Sequence, residues 1–115
     1  MEIDATGNIG IGCTPQSDAR LTVNGVVKAK KVNVTLSGFP DYVFKPDYKL
    51  QSLSEVEAFI QAHGHLPEVP TEQQVLENGL DVGDTQALLM KKVEELTLYI
   101  IKMEKRIAEL EKGGK

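Results

Sequence analysis

Between Leu89 and Leu110 the large apolar residues keep a fixed rhythm. Leu89, Val93, Leu96, Ile100, Met103, Ile107 and Leu110 are separated alternately by four and three residues, sustained over three heptads. A repeat of about 3.5 residues holds one apolar stripe along an α-helix and winds packed helices into a left-handed supercoil. Val93, Ile100 and Ile107 occupy heptad position a; Leu89, Leu96, Met103 and Leu110 occupy d. Neither glycine nor proline interrupts 85–112, so the pattern predicts one long helix there. Asp84 is its expected N-cap, and Leu80-Asp81-Val82-Gly83 its hinge. The rest of the chain offers no second helix long enough to cover the stripe, which points to copies of the same chain.

The number of copies stays open on pattern alone. β-branched residues at a with Leu at d favour two strands. Met90 at e, Tyr99 at g, Ile101 at b and Leu98 at f widen the apolar surface, which suits three, or a fold-back of the rest of the chain. Arg106 at g and Glu111 at the following e match in a parallel, in-register bundle.

Upstream, 51–84 reads as a short-helix region. Ser52 with Glu55 and Thr71 with Gln74 have capping-box spacing, and Gly64 and Gly79 are expected stops. Leu53, Val56, Phe59 and Ile60 give the first helix an apolar face, Val75 and Leu76 the second; His65 to Pro70 between them reads as extended.

Residues 1–36 are β-rich in pattern. Gly7-Asn8-Ile9-Gly10-Ile11-Gly12 alternates small and β-branched positions until Thr14-Pro15 breaks the run. Leu21 to Val23 and Val26-Val27 flank Asn24-Gly25, the pair favoured in a type I′ hairpin turn. Val32, Val34 and Leu36 alternate with polar residues as a half-buried strand does. Between the two regions, 37–50 is a proline- and aromatic-rich connector that repeats Pro40-Asp41-Tyr42 as Pro46-Asp47-Tyr48. Gly113-Gly114-Lys115 (113–115) reads as a flexible tail.

Composition narrows the function. A net charge of −4 argues against duplex nucleic acid, whose phosphates require Lys and Arg. Lys28, Lys30 and Lys31 form the one basic cluster and read as a solvated strand edge. Cys13 is the single cysteine, which excludes an intrachain disulfide and a thiolate metal cluster. No apolar run approaches the length of a membrane span, and the first residues lack the basic and apolar regions of a signal peptide.

The ordered set Gly7 to Gly12, Leu21-Thr22-Val23-Asn24-Gly25, Asp41-Tyr42-Val43-Phe44, Leu53 to Glu57, Gly64-His65-Leu66-Pro67 and Glu94 to Tyr99 resembles C-terminal tail-fibre-like trimerisation domains. These occur in bacteriophages and in Bacteroidetes surface or injection-system fibres. The resemblance implies an α+β fold: short intertwined N-terminal β-strands, two short helices, and a long C-terminal helix in a parallel homotrimeric coiled coil. It tips the expected oligomer from dimer to trimer, with an upstream fibre shaft as partner and a virion tail or cell-surface fibre as location. The implied function is structural: trimerisation and register-setting for the shaft, with no enzymatic activity.

Related fibre tails act as self-cleaving chaperones, using a serine with a nearby lysine. Here Ser17-Asp18-Ala19-Arg20-Leu21 is followed by Thr22, a departure from their Ser-Asp and Arg-Leu-Lys pattern, and no dedicated base accompanies a serine. Phe39, Tyr42, Phe44 and Tyr48 in the connector, with Asp41 and Asp47 beside them, form the candidate surface for a glycan or receptor, the alternative being internal packing. His63 and His65, near Glu68 and Glu72, fall short of a metal's three or four fixed ligands and are expected to bond the last carbonyls of the preceding helix. No cofactor motif is present; Gly7 to Gly12 lacks the strand-to-helix transition of a phosphate loop.

Overall fold

A computed structural model describes residues 1–113, so Gly114 and Lys115 of the expected tail lie outside the described residues. The chain is α+β, and it divides into two compact units, Met1–Asn33 and the remainder from Val34 onward.

The first unit is a three-stranded sheet. Strand β1 (Glu2–Ile3) pairs antiparallel with β2 (Ile9–Ile11), and β2 pairs parallel with β3 (Leu21–Val23) in the register Ile9 to Leu21, Gly10 to Thr22 and Ile11 to Val23. Asp4 builds the turn between β1 and β2. Its carboxylate accepts from the Thr6 N–H and hydroxyl and from the Asn8 N–H, and these bonds hold its pKa below the usual range. Asn8 is buried, and its amide donates to the Gln16 carbonyl and accepts from Arg20 Nη1. Thr14-Pro15 does end the Gly/Ile run, and the turn it forms presses on β2. A Cβ on Gly10 would collide with the Cys13 carbonyl and lie 2.7 Å from the Pro15 nitrogen.

The sequence pattern overcounts strands here. Asn24-Gly25 does not close a hairpin, because a type I′ turn needs positive φ at both central residues and Asn24 has none. Asn24 is tied to the end of β2 instead, its N–H donating to the Ile11 carbonyl at 2.9 Å and its side chain to the Gly12 carbonyl. Val26 and Val27 therefore face solvent without a partner strand, Val26 at 92% exposure. Val32, Val34 and Leu36 form no strand either, and the lysines at 28, 30 and 31 lie on exposed irregular chain, not on a strand edge.

The second unit holds α1 (Leu53–His63), α2 (Glu72–Asn78) and α3 (Val82–Gly113). Ser52 caps α1 by accepting the Glu55 N–H, while the Glu55 carboxylate takes the Ser52 hydroxyl and not its backbone N–H, so only half of the expected box forms. Thr71 and Gln74 form the complete reciprocal box, and Gly64 closes α1 in the left-handed region at φ 76°.

Helix α3 starts earlier than the pattern predicts. Asp81, not Asp84, is the cap: its carboxylate accepts the Asp84 N–H at 3.0 Å and its carbonyl accepts from Thr85. The expected hinge at Val82-Gly83 is thus the first helical turn. Gly83 is buried there under Val34 and Leu36, where a Cβ would come within 2.7 Å of Val34 Cγ1. These two residues pack on a helix start instead of pairing as a strand. The helix continues through Gly113, and its 32 residues span about 48 Å at 1.5 Å each.

Gly10→Ala should destabilise the sheet by about 1–3 kcal/mol, because the added methyl meets backbone that cannot rotate away. Amide exchange at Ile9, which bonds the Arg20 carbonyl at 2.8 Å, reads this directly; unchanged protection would show that the turn relaxes freely.

Candidate functional site

Helix α3 carries two faces with different surroundings. On one flank Ala87, Leu88, Lys91, Lys92, Glu94, Glu95, Leu98 and Tyr99 are half-buried by the chain's own connector and short-helix region. The a/d stripe is not. Leu89, Val93, Leu96, Ile100, Met103, Ile107 and Leu110 lie between 47% and 59% exposed. Beyond Ile100 every described residue of the helix is exposed.

The covered flank is fastened by polar contacts. Leu66-Pro67-Glu68-Val69 forms a tight turn closed by the Val69 N–H on the Leu66 carbonyl, with Glu68 at φ 71°. The sequence pattern reads this stretch as extended. Proline at the second position and positive φ at the third are the marks of a type II turn, where glycine or asparagine is the usual third residue. A glutamate there carries backbone strain of roughly 1 kcal/mol or more. Its side chain is held at the same time, accepting Lys91 Nζ at 2.6 Å and Lys92 Nζ at 3.1 Å. Burial pushes the Glu68 carboxyl up, but the two ammonium groups outweigh it and the net shift is downward. Lys91 is the counterpart: partial burial opposes its charge, the bond to Glu68 outweighs that, and the net shift is upward.

The connector docks on the same patch. The repeated Pro-Asp-Tyr triplets carry Tyr42 and Tyr48 into contact, ring centroids 5.6 Å apart, with Lys91 Nζ 5.5 Å from the Tyr42 centroid. Tyr48 donates its hydroxyl to Glu95 Oε2, whose other oxygen takes Lys92 at 3.2 Å. Burial, then the Glu95 carboxylate, push the Tyr48 phenol well above its ordinary value. Tyr99 donates to the Gln51 carbonyl at 2.7 Å and fixes the start of α1 against α3. Val43, between Tyr42 and Phe44, is the one fully buried hydrophobic side chain among the described residues. Of the four candidate aromatics, Tyr42 and Tyr48 are thus engaged with α3, while Phe39 and Phe44 point their surface to solvent.

His63 and His65 gather on Phe59, at centroid distances of 4.3 and 5.4 Å, and His65 Nδ1 donates to the Leu66 carbonyl. That bond reaches the carbonyl just after His65 and not one of the last carbonyls of α1, and the ring meets Phe59 edge-on at 81°. The described residues gather no group of three His, Cys, Asp or Glu side chains able to hold a metal ion. None of their helices is long and apolar enough to cross a membrane.

The ion cluster of Glu68, Lys91, Lys92 and Glu95 escapes pattern reading. Only Lys92 with Glu95 has a legible i, i+3 spacing; the others meet through a turn that sequence does not announce. Comparison of the chain with known protein families, characterised proteins and solved structures finds no match.

Two pH limbs follow. The Glu68 contribution is present above its unfolded value near 4.5 and is lost as pH falls through the depressed folded value. Glu68→Gln should flatten that acid limb and cost at most about 1 kcal/mol at neutral pH, since the pair is half-exposed. The Tyr48 contribution is present below its unfolded value of 10.0 and is lost as pH rises toward the raised folded value. Tyr48→Phe should cost about 1–2 kcal/mol at pH 7 and shrink the alkaline loss. Thermal melts from pH 3 to about 11 check both limbs, and an unaltered slope in either variant contradicts the assignment.

Proposed function

We propose that the chain is a structural trimerisation and assembly domain at the C-terminal end of a phage-tail-like or cell-surface fibre. In this reading α3 from three copies forms a parallel coiled coil and sets chain register for the shaft. The observation that carries it is the a/d stripe: seven residues at heptad spacing, each about half exposed, on a helix whose own-chain cover lies along a different flank. Finishing the burial of each is worth roughly 1 kcal/mol, so association gains several kcal/mol per chain. Met90 and Ile101 are also exposed and widen the stripe beyond a two-stranded seam, which supports three chains over two. The likeness to fibre tails points the same way.

A tip that binds a receptor or glycan is the second reading, and the exposed rings of Phe39 and Phe44 support it. A glycan array with Phe39→Ala and Phe44→Ala separates the two, because ligand loss with unchanged mass identifies the tip.

Light scattering on a size-exclusion column should give three times the 12.6 kDa chain mass. Leu96→Asp with Ile100→Asp should reduce it to one chain while α1 and the sheet persist by circular dichroism and amide exchange. A wild-type dimer would replace the fibre reading with a two-stranded adaptor, and a wild-type monomer would overturn it.

A further inference from the structure

The flank of α3 beside the stripe is not closed evenly. Between the start of α1 and the helix lies a mostly apolar cavity of about 110 Å³, walled by Leu53, Val56, Leu96 and Tyr99 among others. It adjoins a wider trough of about 370 Å³ that shares Leu53 and Tyr99 and reaches Met103, Lys102 and Arg106. Leu96 and Met103 belong to the stripe itself, so the groove is continuous with it. Any helix packed on the stripe at this level runs past the groove's mouth.

Heptad positions say which edge of that helix arrives. The α3 residues walling the groove fall at c, d and g: Glu95 and Lys102, Leu96 and Met103, and Lys92, Tyr99 and Arg106. In a parallel bundle the g edge of one helix faces the e edge of the next. The e edge here is Met90, Thr97, Glu104 and Glu111, with Ile101 beside it at b. The charges are complementary, since Lys102 and Arg106 have no ion-pair partner among the described residues and Glu104 and Glu111 are acidic. An antiparallel pairing would set g against g and bring basic Lys92 and Arg106 toward their own kind. Ile101 is otherwise hard to explain, an exposed isoleucine outside the seam.

We infer that this groove is the seat for α3 of a second copy, which enters along its e edge and places Ile101 against Leu53, with Glu104 and Glu111 beside Lys102 and Arg106. The start of α1 then belongs to the subunit interface and braces the neighbouring helix from outside the seam. The inference rests on the coiled-coil reading above, and goes beyond it by placing the start of α1 in the interface and naming the edge of the neighbouring helix that meets it. Positions b and e lie on the opposite side of the stripe from c and g, so Ile101 cannot reach Leu53 of its own chain.

The test is a pair of cysteines, Leu53→Cys with Ile101→Cys, in a Cys13→Ser background. Mild oxidation should give covalent multimers up to three chains that collapse on reduction, while each single-cysteine chain stays unlinked. Independently, Leu53→Glu and Ile101→Glu should each raise the concentration at which the oligomer dissociates by about tenfold or more. An oligomer of unchanged mass that neither cross-links nor weakens overturns the groove assignment and leaves the coiled coil standing. A wild-type chain that is monomeric overturns both.

Discussion

A helix of 32 residues cannot hide seven large apolar side chains by itself, and no other described element buries them for it. An isolated helix gains little stability from propensity alone; most of it comes from packing an amphipathic face. The first half of α3 obtains such packing on one flank, where the connector, the start of α1 and the turn at Glu68 lie. Beyond Ile100 every described residue is exposed. The division between a covered flank and an exposed stripe therefore shapes the second unit: the polar contacts lie on the flank, while Leu96 and Met103 of the stripe meet the start of α1 across the groove and stay about half exposed.

That placement is enforced by polar contacts more than by core volume. Among the described residues only Val43 is fully buried as a hydrophobe, so the second unit has little jigsaw packing to orient its parts. Glu68 on its strained turn grips Lys91 and Lys92, Tyr48 bonds Glu95, and Tyr99 bonds Gln51. Each of these fixes a direction, which apolar contact alone does not. The positive φ at Glu68 is unfavourable locally and is offset by what the carboxylate holds. Substituting the residue that the turn prefers would relax the backbone and release Lys91 and Lys92.

The first unit follows the same economy of core. Short strands with glycine at their centre bury little, and the turns carry much of the order: Asp4 gathers three hydrogen bonds, and Asn8 and Asn24 tie neighbouring segments. Val26, Val27 and Val32 stay in solvent, a run of β-branched residues with no strand to pair. Strand propensity is largely a measure of fit to a neighbouring strand, and a single chain provides none at these positions.

The sequence by itself determined the helices. Their signals are local: a heptad repeat, a serine or threonine three residues before a Glu or Gln, a glycine where the chain must turn left-handed. Hydrogen bonds within a helix join residues four apart, so the information sits in a short window. Boundaries depend on packing as well: Asp81 takes the cap expected of Asp84, and Gly83 sits inside the first turn under Val34 and Leu36. Strand pairing was decided only by the tertiary structure. Alternation at Val32, Val34 and Leu36 states that a segment suits a sheet, not that a partner exists, and the parallel match of β2 to β3 depends on residues ten or more apart. The same holds for the patch on α3. Lysines at 91 and 92 look like any solvated pair until the turn at Glu68 reaches them, because a long-range contact leaves no periodicity to read.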